Sequence, residues 1–290
     1  MMETQTDNAR SSTATPILEP SHFVQPARSF LSHFSIDPAR KPGIDSLTAV
    51  LKAFMQIPYE NLSKIIKFGR EHQDVASLRM PDEVWEDFRQ YRLGGTCFSL
   101  TFFLRSIVET LGFACYPVMA HMKAGPNHHC ALVVDFEGAH YLLDPGYVLD
   151  VPIRIDGGQR RQYRSAHAGV ELRNADTALQ YHLYTFTHEK MQWRYTFADV
   201  QVSGADFLQH WLNSFSWNGM NGLCLTKSRQ DSLIFIHKHF MRETGIAGSK
   251  KNYNLKQNRE QMIKEIFGIP AEIVEAAEAA VQDRLRKLRG

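Results

Sequence analysis

Across residues 30–68, apolar side chains recur at spacings of three and four, as in Leu47, Val50, Leu51 and Phe54, while Pro38, Pro42 and Pro58 interrupt the series. That pattern predicts short helices joined by sharp turns. A further helix is expected over Pro81–Tyr91, because proline suits a first helical turn, Asp82 and Glu83 complement its positive end, and Val84, Trp85 and Phe88 form an inner stripe. Gly94-Gly95-Thr96 then breaks the chain ahead of Phe98, Phe102, Leu104, Ile107 and Leu111, a buried helical stripe that Gly112 can end as a left-handed cap. The first third of the chain therefore reads as helical, with Cys97 at a helix N-terminus.

Beyond Gly112 the period changes. Residues 115–122, 128–136 and 140–144 are short runs rich in β-branched and aromatic side chains, separated by Lys-Ala-Gly-Pro-Asn and Glu-Gly turns, and they read as antiparallel strands. Residues 180–188 and 193–197 continue the strand pattern, and residues 206–215 form an amphipathic helix after a Ser-Gly break. The last third is mixed, and Gly268-Ile269-Pro270 opens a final helix with Glu272 and Glu275 near its start and Arg284, Arg286, Lys287 and Arg289 at its end. Residues 1–28, rich in Ser, Thr and Pro, read as a disordered lead without the apolar stretch of a signal peptide or a membrane helix.

Composition narrows the class. With 290 residues, 43% of them hydrophobic, the chain can bury a large core as one domain or as two to three coupled subdomains. Thirty-three basic against 31 acidic side chains give a net charge of +2, too balanced for an electrostatic nucleic-acid binder or a polybasic membrane surface. The four cysteines form neither a CxxC pair nor a disulfide framework, which points to a reducing compartment, so a cytoplasmic protein is expected.

The candidate chemistry centres on Cys97. A thiol reacts as its thiolate, and a helix N-terminus stabilises that anion through unpaired N–H groups and the positive end of the dipole. Taken alone, the cysteine reads as a small buried hydrophobe at the start of a core helix. A nucleophile needs an imidazole within reach and a carboxylate to hold that ring. The next hairpin offers both, since His128 and His129 begin one strand and Asp144 ends the following one. If Glu137-Gly138 is a two-residue loop, Ala131 opposes Asp144 and His129 lies diagonal to the carboxylate on the same face; a three-residue loop selects His128 instead. Glycine at the second loop position favours the shorter loop, and with it the triad Cys97, His129 and Asp144.

At these residues the chain resembles the arylamine N-acetyltransferase family. Ile57-Pro58-Tyr59-Glu60-Asn61-Leu62 is similar to that family's V-P-F-E-N-L segment, Gly94-Gly95-Thr96-Cys97 to its R-G-G-x-C motif, and Asp144-Pro145-Gly146-Tyr147 to D-V-G-F. His129 and Asp144 have the family's separation. The resemblance implies an α+β fold in a cysteine-protease-like arrangement: an N-terminal helical bundle over 29–113, an antiparallel β-barrel-like middle over 114–203 and an α/β lid over 204–290. It also implies ping-pong acyl transfer from acetyl-CoA, a co-substrate and not a resident cofactor, to an arylamine, hydrazine or related amine. Gly146, Tyr147 and Val148 would line the substrate pocket, with no metal.

Three positions depart from the family pattern. Leu93 stands where the family has arginine, with Arg92 one position early, so a structural ion pair is either lost or rebuilt. Ser99 replaces an acidic residue, and Val148 replaces a glycine in the loop that faces CoA, which keeps open an amide synthase taking its acyl chain from a carrier protein. The same triad also serves cysteine hydrolases and transglutaminase-like enzymes. A metal-binding reading of His121, His128, His129, Cys130, His237 and His239 is weaker, because three consecutive strand residues point alternately to opposite faces. Arg160, Arg161, Arg164, Lys250 and Lys251 are candidate cations for the phosphates of CoA, although such pairs commonly form solvated faces.

Overall fold

The structure, a computed structural model, describes residues 16–71, 74–155, 161–164, 169–187, 190–229, 232–245 and 248–289. Arg160 and His188 lie outside the described residues. So do positions 1–15 of the expected disordered lead, but positions 16–28 do not follow that expectation. They form two 3-10 turns and the start of helix α1 (Val24–His33), because Leu18 and Ala27 find apolar partners and are buried.

The proline-punctuated segment forms α1, α2 (Ile44–Phe54), a two-residue strand β1 (Tyr59–Glu60) and α3 (Leu62–Glu71). Helix α4 (Pro81–Tyr91) starts on its proline, and α5 (Cys97–Thr110) ends before Gly112, whose φ of 86° is the expected left-handed cap. The apolar faces of α1, α2, α4 and α5 close one core around Phe30, Phe54, Trp85 and Phe103. Aromatic rings there meet edge-on or tilted at centroid distances of 5.5–6.2 Å.

Among the described residues eight antiparallel strands follow: β2 (Ala114–Met122), β3 (Gly125–Phe136), β4 (Ala139–Leu143), β5 (Ile153–Ile155), β6 (Arg161–Arg164), β7 (Gly169–Asn174), β8 (Gln180–Phe186) and β9 (Met191–Ala198). Their order is β5-β4-β3-β2-β9-β8-β7-β6, and alternate residues from both halves of the sheet share one interior, so the sheet curls into a barrel-like wall. Strand β3 begins three residues earlier than the Gly-Pro-Asn signal suggested, pairing Gly125 with Met122 around a tighter turn. The opposite face of β3 packs on α5 through Leu132 and Val134.

After α6 (Gly204–Asn213) comes a second antiparallel sheet that the mixed pattern did not disclose. Its strands are β10 (Cys224–Ser228), β11 (Ser232–His237), β12 (Phe240–Gly245) and β13 (Lys250–Asn254), joined to β1 from the helical region. Helices α7 (Arg259–Phe267) and α8 (Ala271–Lys287) complete the chain; α7 was not anticipated, while α8 begins directly after Pro270. Their apolar faces join Phe98, Trp211 and Phe215 in a further core. Among the described residues no helix is long and apolar enough to cross a membrane.

Candidate active site

The thiol is held by a loop that the Ile57–Leu62 motif supports. Gly95 N–H donates to the Pro58 carbonyl and Glu60 N–H donates to the Gly95 carbonyl at 2.9 Å, so Tyr59 and Gly95 form a short parallel bridge. A Cβ at Gly94 would lie 1.8 Å from the Pro58 oxygen, and only glycine permits that approach. Glu60 is fully buried and accepts from the Ser63 amide at 3.0 Å, the Ser63 hydroxyl at 2.5 Å and the Gly94 amide at 3.2 Å. Asn61 ties this loop to the last third of the chain, donating to the carbonyls of Gly219 and Gly222 and accepting from Cys224 N–H.

Of the two outcomes left open at Leu93, an ion pair lost or rebuilt, the structure shows a buried pair beside this loop whose arginine comes from another segment. Arg79, just ahead of α4, brings Nη1 to 3.6 Å from Glu60 Oε1, donates to the Gly94 carbonyl and to Ser63 Oγ, and bonds Asp87 Oδ2 at 2.6 Å through Nη2. Leu93 is a buried apolar contact, and Arg92 closes α4 in the left-handed region at φ 59° with its guanidinium over Phe88. Ser99 donates its hydroxyl to the Thr96 carbonyl and fills the turn where an acid was expected.

The Glu137-Gly138 connection is a two-residue turn with φ of 52° and 74°, pairing Phe136 with Ala139 and Leu132 with Leu143. Continuing that register sets Asp144 opposite Ala131. His129 then faces it, with Nε2 2.9 Å from Asp144 Oδ2. Because a carboxylate only accepts, Nε2 carries the proton and Nδ1 is the nitrogen left for the thiol. Asp144 is wholly buried and also accepts from the Tyr195 hydroxyl at 2.6 Å and the Tyr147 amide at 2.9 Å. His128 lines the same cavity but is held by other partners: its Nδ1 lies 3.0 Å from the Pro126 carbonyl, and its ring stacks on Trp217 at 4.2 Å.

Cys97, His129 and Asp144 converge on Gly146. A Cβ there would stand 2.7 Å from His129 Cε1, 3.2 Å from Cys97 Cβ and 3.4 Å from Asp144 Oδ1, so the turn after Asp144 needs glycine for space. Val148 retains a left-handed backbone at φ 57°, the conformation a glycine would favour, even though its side chain is β-branched and buried. Its amide donates to the Pro145 carbonyl at 3.2 Å and keeps the turn closed.

The local field favours an ion pair between sulfur and imidazole. A hydrogen bond from the Cys130 thiol lowers Cys97 first; burial opposes this, and the hydrogen bond and charge of His129, together with the Lys64 charge, leave Cys97 well below the ordinary thiol range. Burial alone would lower His129, but the charge and hydrogen bond of Asp144, joined by Cys97, lift it to about 10. Cys130, buried on the face of β3 toward α5, is pushed up by desolvation and by the neighbouring Cys97.

These residues open into a cavity of about 550 Å³ lined by Tyr59, Cys97, His129, Gly146, Tyr147 and Val148, with β8, β9 and the second sheet as further walls. Tyr147 presents its ring edge-on to His129 at 5.1 Å. Lys250 reaches the cavity, whereas Arg164 and Lys251 are not among its described lining residues. Among the described residues no group of three or more His, Cys, Asp or Glu side chains is placed to hold a metal. Tyr195, Arg79 and Lys64 were not singled out from the sequence. Tyr195 lies in the 193–197 run that was read as a strand, but nothing in the apolar pattern marks the other two.

The fold and the sequence profile place the chain among enzymes that transfer acyl groups. The sequence profile described as N-acetyltransferase matches residues 43–276, and the chain belongs to that family, the arylamine N-acetyltransferases. No curated protein matches it. Among solved structures, the arylamine N-acetyltransferase from Mycobacterium abscessus is similar, with a TM-score of 0.75 at 18% identity over 88% of this chain and 94% of that one. The enzyme from Salmonella typhimurium gives 0.71 at 18% identity, over 88% and 98%. The Mycobacterium marinum enzyme in complex with CoA gives 0.71 at 17% identity, also over 88% and 98%. At such identities the likeness is one of fold, and it makes this chain a divergent member.

Proposed function

We propose that this protein moves an acetyl or other acyl group from a CoA thioester onto Cys97 and then to an arylamine, hydrazine or related amine. The convergence of the thiol, His129 and Asp144 on Gly146, at the floor of the cavity, is the observation that supports this reading. In the first half-reaction the Cys97 thiolate attacks the thioester carbonyl, the open amides of the first turn of α5 receive the oxyanion, and the carbonyl–sulfur bond to CoA breaks. The His129 imidazolium returns its proton to the leaving CoA sulfur. In the second, the amine nitrogen attacks the acyl-cysteine, neutral His129 takes the ammonium proton, and the Cys97 thiolate leaves as the amide forms. Asp144 keeps the ring in one tautomer and stabilises its charge.

Steady-state kinetics with acetyl-CoA and either aniline or phenylhydrazine test the reading. Parallel double-reciprocal lines, with CoA release that requires the amine and is abolished by Cys97→Ala, are the expected result. Equal CoA release without an amine would make the protein a thioester hydrolase. Inertness toward acetyl-CoA, alongside turnover of a carrier-bound acyl thioester, would move the donor to a carrier protein.

A further inference from the structure

The cavity above Cys97 has an uneven charge. Its described lining includes four cations, Lys190, Arg194, Arg242 and Lys250, and no carboxylate, in a chain whose overall charge is only +2. Arg194 is the most buried of the four. Strands β8 and β9 pair Tyr184 with Trp193 and Leu183 with Tyr195, so Arg194 is the extra residue of a β-bulge, a device that re-aims a side chain. Its Nε donates to the Thr185 hydroxyl at 2.6 Å, and among the described residues no acidic side chain pairs with it. Arg194 lines the same cavity as Tyr147 and His129, and a guanidinium carries further N–H donors beyond the one given to Thr185.

The facing wall is built in register. Tyr59, Thr226, Phe235 and Arg242 oppose one another in a row straight across β1, β10, β11 and β12, with Thr244 and Lys250 paired in a parallel row. Arg242 is steadied by Asn252, which accepts from its Nε at 3.0 Å, and by the Phe240 ring. Both sheets thus bring cations to one space. A half-buried guanidinium held by a neutral hydroxyl alone is poorly compensated, and a bidentate oxyanion is the group its geometry fits.

We infer that Arg194, assisted by Arg242, Lys190 and Lys250, forms an anion subsite in this cavity, which receives a phosphate of the acyl donor or a carboxylate carried by the amine acceptor. This rests on the acyl-transfer reading for the naming of the two sources, but binding of the anion does not require the thiol.

Calorimetric titration of the Cys97→Ala protein, which cannot turn over, with inorganic pyrophosphate and separately with benzoate is the test. Saturable binding of one probe at one site per chain, weakened at least tenfold by Arg194→Gln and a few-fold by Arg242→Gln, is expected; Lys256→Gln, an equal charge change outside the cavity, leaves it unaltered. Pyrophosphate binding assigns the subsite to the donor, and benzoate binding to the acceptor. Binding of neither probe, or equal weakening by Lys256→Gln and Arg194→Gln, would overturn the subsite. Since Arg242 is exposed, its variant keeps the test informative should Arg194→Gln not fold. Loss of acyl transfer with anion binding intact would refute the proposed reaction and leave the subsite standing.

Discussion

Replacing Lys64 with methionine should stabilise the protein. Lys64 lies on α3 with its ammonium buried, donating to the Ser214 hydroxyl at 2.5 Å and carbonyl at 3.2 Å and lying 4.5 Å from the centre of the Phe215 ring, with no carboxylate partner among the described residues. Burial pushes it down from 10.5 to about 8. Keeping it charged at neutral pH therefore costs about 3 kcal/mol. Methionine has a similar unbranched shape and can fill the same space. The lost hydrogen bonds and ring contact return roughly 1–2 kcal/mol of that gain, and Ser214 stays satisfied because its hydroxyl already donates to the Trp211 carbonyl. The net expectation is a gain of about 1–2 kcal/mol at pH 7. A lowered lysine means that the unfolded chain holds the extra proton between about 8 and 10.5, so wild-type stability gains on the variant as pH rises through that window, and the charge penalty is gone above it. Urea unfolding of both proteins at pH 7, 9 and 10.5, compared as differences in midpoint at equal slope, measures this. A variant less stable than wild type at pH 7, or a difference that does not change with pH, would refute the reasoning.

Other expectations follow from the site and its supports. Gly146→Ala pushes a methyl group into the His129 ring and should lower kcat/KM by roughly 100-fold or more, with circular dichroism confirming an unchanged fold. Alkylation of Cys97 by iodoacetamide should hold its rate well below pH 8.5, because the thiol is held low; His129→Gln should restore a profile that climbs near about 8.5, and an unshifted profile would contradict the ion pair. Arg79→Met leaves Glu60 buried without its counter-charge and should cost about 3–5 kcal/mol in denaturant unfolding. Val148→Gly should be more stable than Val148→Ala, reversing the usual order, since glycine removes a left-handed strain of about 1–2 kcal/mol that alanine keeps; thermal unfolding of the pair decides it.

The helices on either side of Gly94-Gly95 and the β3–β4 hairpin were legible because local signals and tertiary demands agree there. A proline, two acids and an apolar stripe start α4, and the Glu-Gly turn sets the register that selects His129 over His128. The second sheet was not legible, because its strands are short and β13, Lys250–Asn254, is exposed along its whole length and shows no buried alternation. Arg79 and Lys64 escaped notice for a different reason. Each follows apolar or turn residues as an ordinary surface cation would, and only the fold shows that Glu60 draws one inward and that Ser214 and Phe215 enclose the other. Val148 shows the reverse: the lost glycine was visible in the sequence, but the survival of its left-handed backbone was not.

Intact-protein mass spectrometry after brief mixing with acetyl-CoA, with no amine present, tests the acyl-cysteine most directly. The account predicts a gain of one acetyl group, mapped by peptide analysis to Cys97, absent from Cys97→Ala and discharged when an arylamine is added. An acetyl group found on another residue, or an adduct that persists in Cys97→Ala, would contradict it.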